Sequence, residues 1–479
     1  MRTGTRLVVV VALVVVLAGV GIADRLATSA PQRFGAPAPA MSVPAASDES
    51  SAWYCWGGGT TSSLAPVTLE LVNTTAAAVH GTLTTVATSG RSLTQAVTVP
   101  ALQTVTVVPA VPGAGGWLGA ALTFFGGGVL ATQSVGGPAG WSQVPCSRVT
   151  APTWYFPSGS TADGSVDVTL FNPTVTDAVV DLSFLTRSGV LQPQPYQGLV
   201  VGPRQVLDEH IGDYVQDQTQ VATIVHARAG AVVAGEFQVR SDNGVQGASL
   251  LTGAPSPARR WVFPASANPQ LGSTVFHVFN PTAVPERVTV AVRLGSGPVA
   301  PFVELVAPAS VWSLVASQQT RIPTAETFAA TVTATGPGVV VDRVVTAPAG
   351  AAAPQWGTVM GVPQVAGTNP RIAYLAPPGT ATAPAVSGAQ PIQLVVMNPS
   401  PRRISVVVQT VASRGAALTV LGRATLSPGA FSVFARPLAA SGVRALTVRG
   451  SGPTASIEDL APAGAPGVVS LVGVPPDSG

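Results

Sequence analysis

The sequence predicts an all-β protein, in which an N-terminal signal-anchor or transmembrane helix precedes four tandem β-sandwich-like (Ig-like) repeats. Three observations lead there. Gly (51) and Pro (44) are abundant, while charged residues are only 9% of the 479-residue chain, against roughly 25% in ordinary soluble domains. Short alternating runs such as "RVTVAVRL" (287–294) and "VDVTLF" (166–171) recur between turn signals, with the period of a half-buried strand. One set of markers also returns four times along the chain. A closed ring of β-blades, a propeller, is the competing architecture, but a repeat of roughly 100 residues is long for a blade of about four strands.

The first element is the anchor, residues 1–23. Arg2 and Arg6 precede an unbroken apolar run from Leu7 to Ala23, which just reaches the minimum of about 17 residues for a spanning helix. Positive charge ahead of the run places the N-terminus in the cytoplasm and the remainder outside. Cleavage near Ala23, giving a secreted chain, is the alternative. Residues 24–51 are rich in Ala, Pro and Ser without hydrophobic periodicity, the composition of a tether.

The repeats follow at 52–150, 151–258, 259–370 and 371–479. Each opens on an aromatic segment, "WYCW", "WYFP", "WVFP" or the weaker "YLAP". About 20 residues later a strand ends in Asn73, Asn172, Asn280 or Asn398, and "GWSQVPC", "GASLLTGAP", "WGTVMGVP" or "VVSLVGVPP" closes the unit. Asn folds back onto the backbone to start a turn, and a following Pro ends ladder pairing. The four asparagines are therefore read as structural turns. About seven short strands fit each unit, as in a two-sheet sandwich.

The inventory for catalysis is short. No G-x-S-x-G elbow, H-E-x-x-H pair or P-loop occurs, and the four histidines (80, 210, 226, 277) stand apart in sequence. The loop "LDEHIGDYVQD" brings Asp208, Glu209, Asp213 and Asp217 within ten residues. These are low-ranking candidates for a hard cation, because the spacing does not match a calcium loop; the leading reading is no metal, no cofactor and no catalytic residues. Residues 152–258 carry 4 Arg against 10 acids, and 371–479 carry 8 Arg against 3 acids. Arg402 and Arg403, beside the last Asn turn, are the candidate contact for an anionic envelope polymer. The basic residues are too dispersed for nucleic acid.

Cys55 and Cys146 are the only cysteines. They stand at the two ends of the first unit, on the side of the anchor where disulfides persist, and are expected to pair. Closing a loop of this length stabilises by about 4–5 kcal/mol in the chain-entropy account.

The Val-rich anchor, the "WYC" opening and the "FNPT" and "FNPTA" elements resemble an actinobacterial family of membrane-anchored secreted proteins, catalogued as a domain of unknown function. That resemblance implies an envelope role and carries no catalytic residue. The expectation is a non-enzymatic, single-pass envelope protein acting as a scaffold or interaction module, with an envelope protein or wall polymer as its partner. A binding module for wall glycan or anionic polymer is the alternative, with Trp117, Trp141, Trp312 and Trp356 as candidate platforms. An envelope hydrolase or transferase is less favoured.

Overall fold

A computed structural model describes residues 48–59, 66–137, 140–242, 245–267, 273–349, 352–363, 371–375, 391–412, 419–437, 443–451, 456–462 and 468–473. The anchor and nearly all of the tether lie outside them, and Ser51 already opens the first strand. Among the described residues the protein is all-β in sheets that are antiparallel but for one parallel junction, with no closed barrel, and no helix is long and apolar enough to cross a membrane.

The strands come in four successive groups. In group one the chain runs β1 (Ser51–Gly59), β2 (Val67–Asn73), β3 (Val79–Ala87), β4 (Ser92–Val99), β5 (Thr104–Val107), β6 (Trp117–Phe124), β7 (Val129–Gly137) and β8 (Gly140–Pro145). They make two four-stranded sheets, ordered β1-β6-β3-β4 and β5-β2-β7-β8. The same connectivity recurs over 153–252, 260–360 and 371–473, with a few short edge strands added in groups two and three. Group one thus has eight strands where about seven were expected. A turn through Leu102, which holds a left-handed φ of 53°, sends β4 and β5 to opposite sheets.

The recurring sequence markers have recurring jobs. Trp53, Trp154 and Trp261 are buried, and each indole donates to a carbonyl at the start of the seventh strand: Val129 (3.1 Å), Val232 (2.8 Å) and Val339 (2.7 Å). Such a bond lets a large apolar ring be buried without stranding its polar N–H. Asn73, Asn172, Asn280 and Asn398 are also buried. In each, the side-chain oxygen accepts from the backbone N–H and hydroxyl of the Thr or Ser two residues on, and the amide donates to carbonyls four and about 26–30 residues later. One side chain therefore satisfies the backbone groups left free where the second strand stops.

A third correspondence joins the opening strand to the end of the closing strand. Cys55 and Cys146 form a disulfide in group one. At the matching places, the Phe156 ring lies over Gly253 and the Phe263 ring over Gly361; an added Cβ would come within 2.7 and 2.6 Å of those rings. Just past this point the opening strand loses register, and polar side chains from the seventh strand reach its backbone. The Gln133 oxygen accepts from Gly57 N–H (2.8 Å), Gln238 donates to the Ser158 carbonyl (3.0 Å), and Arg343 donates to the Ala265 carbonyl.

The closing strands are also where the groups meet. Val245–Thr252 runs parallel to Ala352–Met360 through Gln246 and Gln355, fusing two second sheets into one of eight strands. Gly140–Pro145 touches Val245–Thr252 and Val468–Gly473, and the last of these touches Ala352–Met360. Hydroxyls bridge the junctions: Ser142 accepts from Leu250 N–H (2.9 Å) and Ser249 from Thr358 N–H (2.9 Å). Around this centre, the opening strand of each group packs on the second sheet of the next, and Arg371–Leu375 of group four touches Val67–Asn73 of group one. The outer faces of the second sheets are covered as well as the inner ones.

Candidate functional site

The acidic cluster does not converge. Asp208 and Glu209 lie on the strand Gln205–His210 and point to opposite faces, as successive strand residues must. Asp208 accepts a hydrogen bond from Thr169 Oγ1 (2.8 Å), and burial, then the neighbouring Asp167, pushes its carboxyl up to about 7. His210 Nδ1 lies 2.7 Å from Asp167 Oδ1, and the Tyr196 hydroxyl donates to the His210 carbonyl (2.5 Å). Asp213 is in a short 3-10 turn, and Asp217 holds a left-handed φ of 54° beyond it. Among the described residues no group of three or more His, Cys, Asp or Glu is arranged to hold a metal ion.

Arg402 and Arg403 are exposed, and the backbone of Arg402 is used by the Asn398 turn. Trp117 is buried and donates to the Trp56 carbonyl (3.1 Å), with its ring 5.8 Å from that of Phe237. Trp312 packs half-buried against the core of group three. The side chain of Trp141 lies outside the described residues. Trp356 is the candidate that borders open space.

That space is a cavity of about 80 Å³ between groups two and three. The strand Thr153–Phe156 runs into the segment Ser158–Asp163, whose Ser160 hydroxyl donates to Asp163 Oδ2 (3.1 Å) and to the Gln218 carbonyl (3.2 Å). Asp163 also meets Arg240 at 3.4 Å. Group three supplies His277, Val344 and Trp356. Trp356 is 5% exposed, and its Nε1 has no hydrogen-bond partner among the described residues.

Behind one wall lie two buried carboxyls. Ser158 Oγ donates to Asp342 Oδ2 across the junction (2.5 Å), and Gln238 donates to both the Ser158 carbonyl and Glu236. Burial raises Asp342 to about 8 against the partial opposition of Ser158, and burial, then Asp342, raises Glu236 well above the usual range. Asp342 is therefore a neutral acid at moderate pH, which is how a carboxyl tolerates a dry site, and burial pushes Glu236 in the same direction. Neither is a wall of the cavity.

Sequence reasoning missed one further juxtaposition. Ser313, His277 and Asp342 stand in register on three neighbouring strands. The His277 Nδ1 is 2.9 Å from Ser313 Oγ, and burial lowers the imidazole to about 4. A nucleophile relay requires the carboxylate to orient the imidazole, whereas Asp342 is bound by Ser158 and protonated. Only pairing across strands reveals this row, since 277, 313 and 342 are remote in sequence.

Among known proteins, the model of a family of unknown function (DUF5719) matches residues 125–312. No curated protein matches the chain. The crystal structure of Thermotoga maritima 1070 is 18% identical, with a TM-score of 0.20, covering 22% of this chain and 93% of that one. A tetra-tandem repeat from the extending region of a large adhesion protein is 11% identical, with a TM-score of 0.11, covering 86% of this chain and 95% of that one.

Proposed function

We propose that the chain is a non-enzymatic envelope protein, a scaffold or interaction module held at the cell membrane by residues 1–23. On this reading 24–51 is a tether, and 52–150, 151–258, 259–370 and 371–479 are four sandwich-like (Ig-like) modules outside the cytoplasm. The observation that carries it is the use of polar side chains. The buried asparagines bind turn backbones, Gln133 and Gln238 bind opening strands, and Ser158 binds Asp342 across a junction. These polar side chains are thus committed to joining strands and modules, an arrangement suited to rigidity. The Cys55–Cys146 disulfide supports an oxidising compartment.

Crosslinking in intact cells followed by mass spectrometry tests this reading. Envelope proteins or wall fragments should be recovered with the chain, and recovery of cytoplasmic partners alone would overturn it. Binding of an anionic polymer through exposed Arg402 and Arg403 is a second reading. It requires binding to wall fractions that weakens as salt is raised.

A further inference from the structure

We propose that two copies of this chain associate through β4, pairing antiparallel about Ala96 so that their first sheets join edge to edge. An edge strand offers unpaired backbone N–H and C=O groups to any strand that can line up with it, and proteins blunt such edges with interruptions, charges, bulges or Pro. The corresponding edges of groups two, three and four are blunted in these ways. In group two the edge is cut into Gly189–Leu191 and Leu199–Val201 by a 3-10 turn at Gln194–Tyr196. In group three Pro298 precedes the edge strand Phe302–Val306, where Glu304 falls between the buried Phe302 and Val306 on their face of the strand. In group four Thr419–Leu426 carries Arg423 and pairs through a register shift.

β4 has none of these devices. Ser92–Val99 contains no charged residue, Pro or Gly, and it pairs residue for residue with Val79–Val86 without a bulge. Ser92 to Ala96 are exposed, and among the described residues no strand lies beyond β4. The outer strands of the second sheets are less available. β5 is short, Gln205–His210 carries Asp208 and Glu209, Ser310–Val315 is mostly half-buried, and Phe431–Pro437 ends in Arg436 and Pro437.

The side chains of β4 select a second copy as the occupant. Antiparallel pairing about Ala96 sets Thr94 opposite Thr98 of the second copy, and Leu93 opposite its Val99. Within one chain Thr98 Oγ1 is 2.9 Å from His80 Nδ1, and Thr94 Oγ1 is 2.9 Å from Thr84 Oγ1. The pairing therefore makes one polar row, from His80 through Thr98 to Thr94 and Thr84 of the second copy. Thr–Thr and apolar pairs of this kind stabilise a ladder. Leu93, 39% exposed in the single chain, is covered. At the twofold axis the copies meet through a small, uncharged Ala, so no like charges are opposed, and the contact closes on itself. The chain already joins two sheets edge to edge, through Val245–Thr252 and Ala352–Met360.

One strand edge falls short of the roughly 1,200 Å² at the lower end of standard interfaces, so the pair is weak and forms as concentration rises. It does not require an envelope location. Sedimentation equilibrium of the full-length chain in mild detergent tests it. The unaltered chain should pass from monomer to dimer with concentration. Ala96→Lys and Ala96→Glu each place like charges face to face at the axis, and each should weaken the dimer by about tenfold or more. An equimolar mixture of the two variants should restore it, because the facing charges are then opposite.

Ala96 is exposed, so both variants should keep the guanidinium midpoint of the unaltered chain. Association through residues 1–23 would be the same in every sample. A chain that stays monomeric at all concentrations would leave β4 to a strand of another protein and overturn the pair. Dimers undiminished in both single variants, or a mixture no stronger than its components, would overturn it as well.

Discussion

Group one is fastened by devices that group two replaces with softer ones at the same backbone positions. Inside group one the opening and closing strands are joined by Cys55–Cys146; inside group two the Phe156 ring rests on Gly253. Outside, Trp56 fills the junction with group two so closely that a Cβ at Gly235 would be 2.0 Å from its ring, and Phe171 packs against Gly119. At the next junction the place of Gly235, opposite the same point of the second strand, is taken by Asp342, and Ser158 reaches it with a hydroxyl. The first junction is filled by Trp56 and Phe171, while the second keeps an aromatic contact, Tyr155 on Phe279 at 6.2 Å, and adds the polar Ser158–Asp342 contact and the cavity. One β frame therefore accepts two solutions, and changing a glycine to a carboxylic acid separates them.

The largest expected effect comes from the disulfide. Replacing both cysteines by Ala should cost about 4–5 kcal/mol in the chain-entropy account, for a sequence separation of 91 residues. If the Phe–Gly contact is its equivalent, Cys55→Phe with Cys146→Gly should recover about 1.5–3 kcal/mol, the contribution of a buried Phe. Guanidinium midpoints of the full-length variants measure this. A Phe–Gly variant no more stable than the double-Ala variant would break the correspondence.

A smaller effect is expected at the packed junction. Trp56→Ala removes a fully buried ring and its hydrogen bond to Thr252 Oγ1 (3.1 Å), and should cost about 3–5 kcal/mol. Pro157→Ala, at the matching place in group two, should cost less than about 1 kcal/mol, since it removes no large ring. Equal losses would mean that the two junctions are not chemically distinct.

Much of this frame was legible in the sequence, because its markers act locally. Asn172 bonds within its own turn, and the aromatic openings mark the same strand each time. The alternation in "VDVTLF" identifies the strand and its inward Val166, Val168 and Leu170, but Thr169 and Phe171 are buried on the other face too. Alternation describes a sheet with one wet face, and the neighbouring group covers the second face. Continuous apolar runs such as "LVVMN" carried that signal. The cavity could not be read, because Asp163, Arg240 and Trp356 meet only once two groups have packed.

The smallest effect is a slope with pH, and it separates the junctions by sign and window. Asp342 is held near 8 against a usual 3.8, so between those values the folded chain keeps a proton that the unfolded chain has released. Stability therefore falls as pH rises, by about 1.4 kcal/mol per unit for each such group. The contribution is intact below 3.8 and is lost once pH has passed about 8. His277, lowered from 6.5 to about 4, acts in the opposite direction between those values and offsets one carboxyl there. Asp208, at the packed junction, adds to the fall only up to about 7. Between about 7 and 8 Asp342 of the polar junction still adds to the fall, beside His210, whose imidazole, against the opposing effect of burial, Asp167 raises above 6.5. Asp342→Asn, uncharged and still able to accept from Ser158, should flatten urea-unfolding stability in that window by about 1.4 kcal/mol per unit. Trp56→Ala should leave the slope there unchanged. If Asp342→Asn leaves it unchanged too, the carboxyl titrates like an exposed one, and the second junction is open to water rather than closed by Ser158.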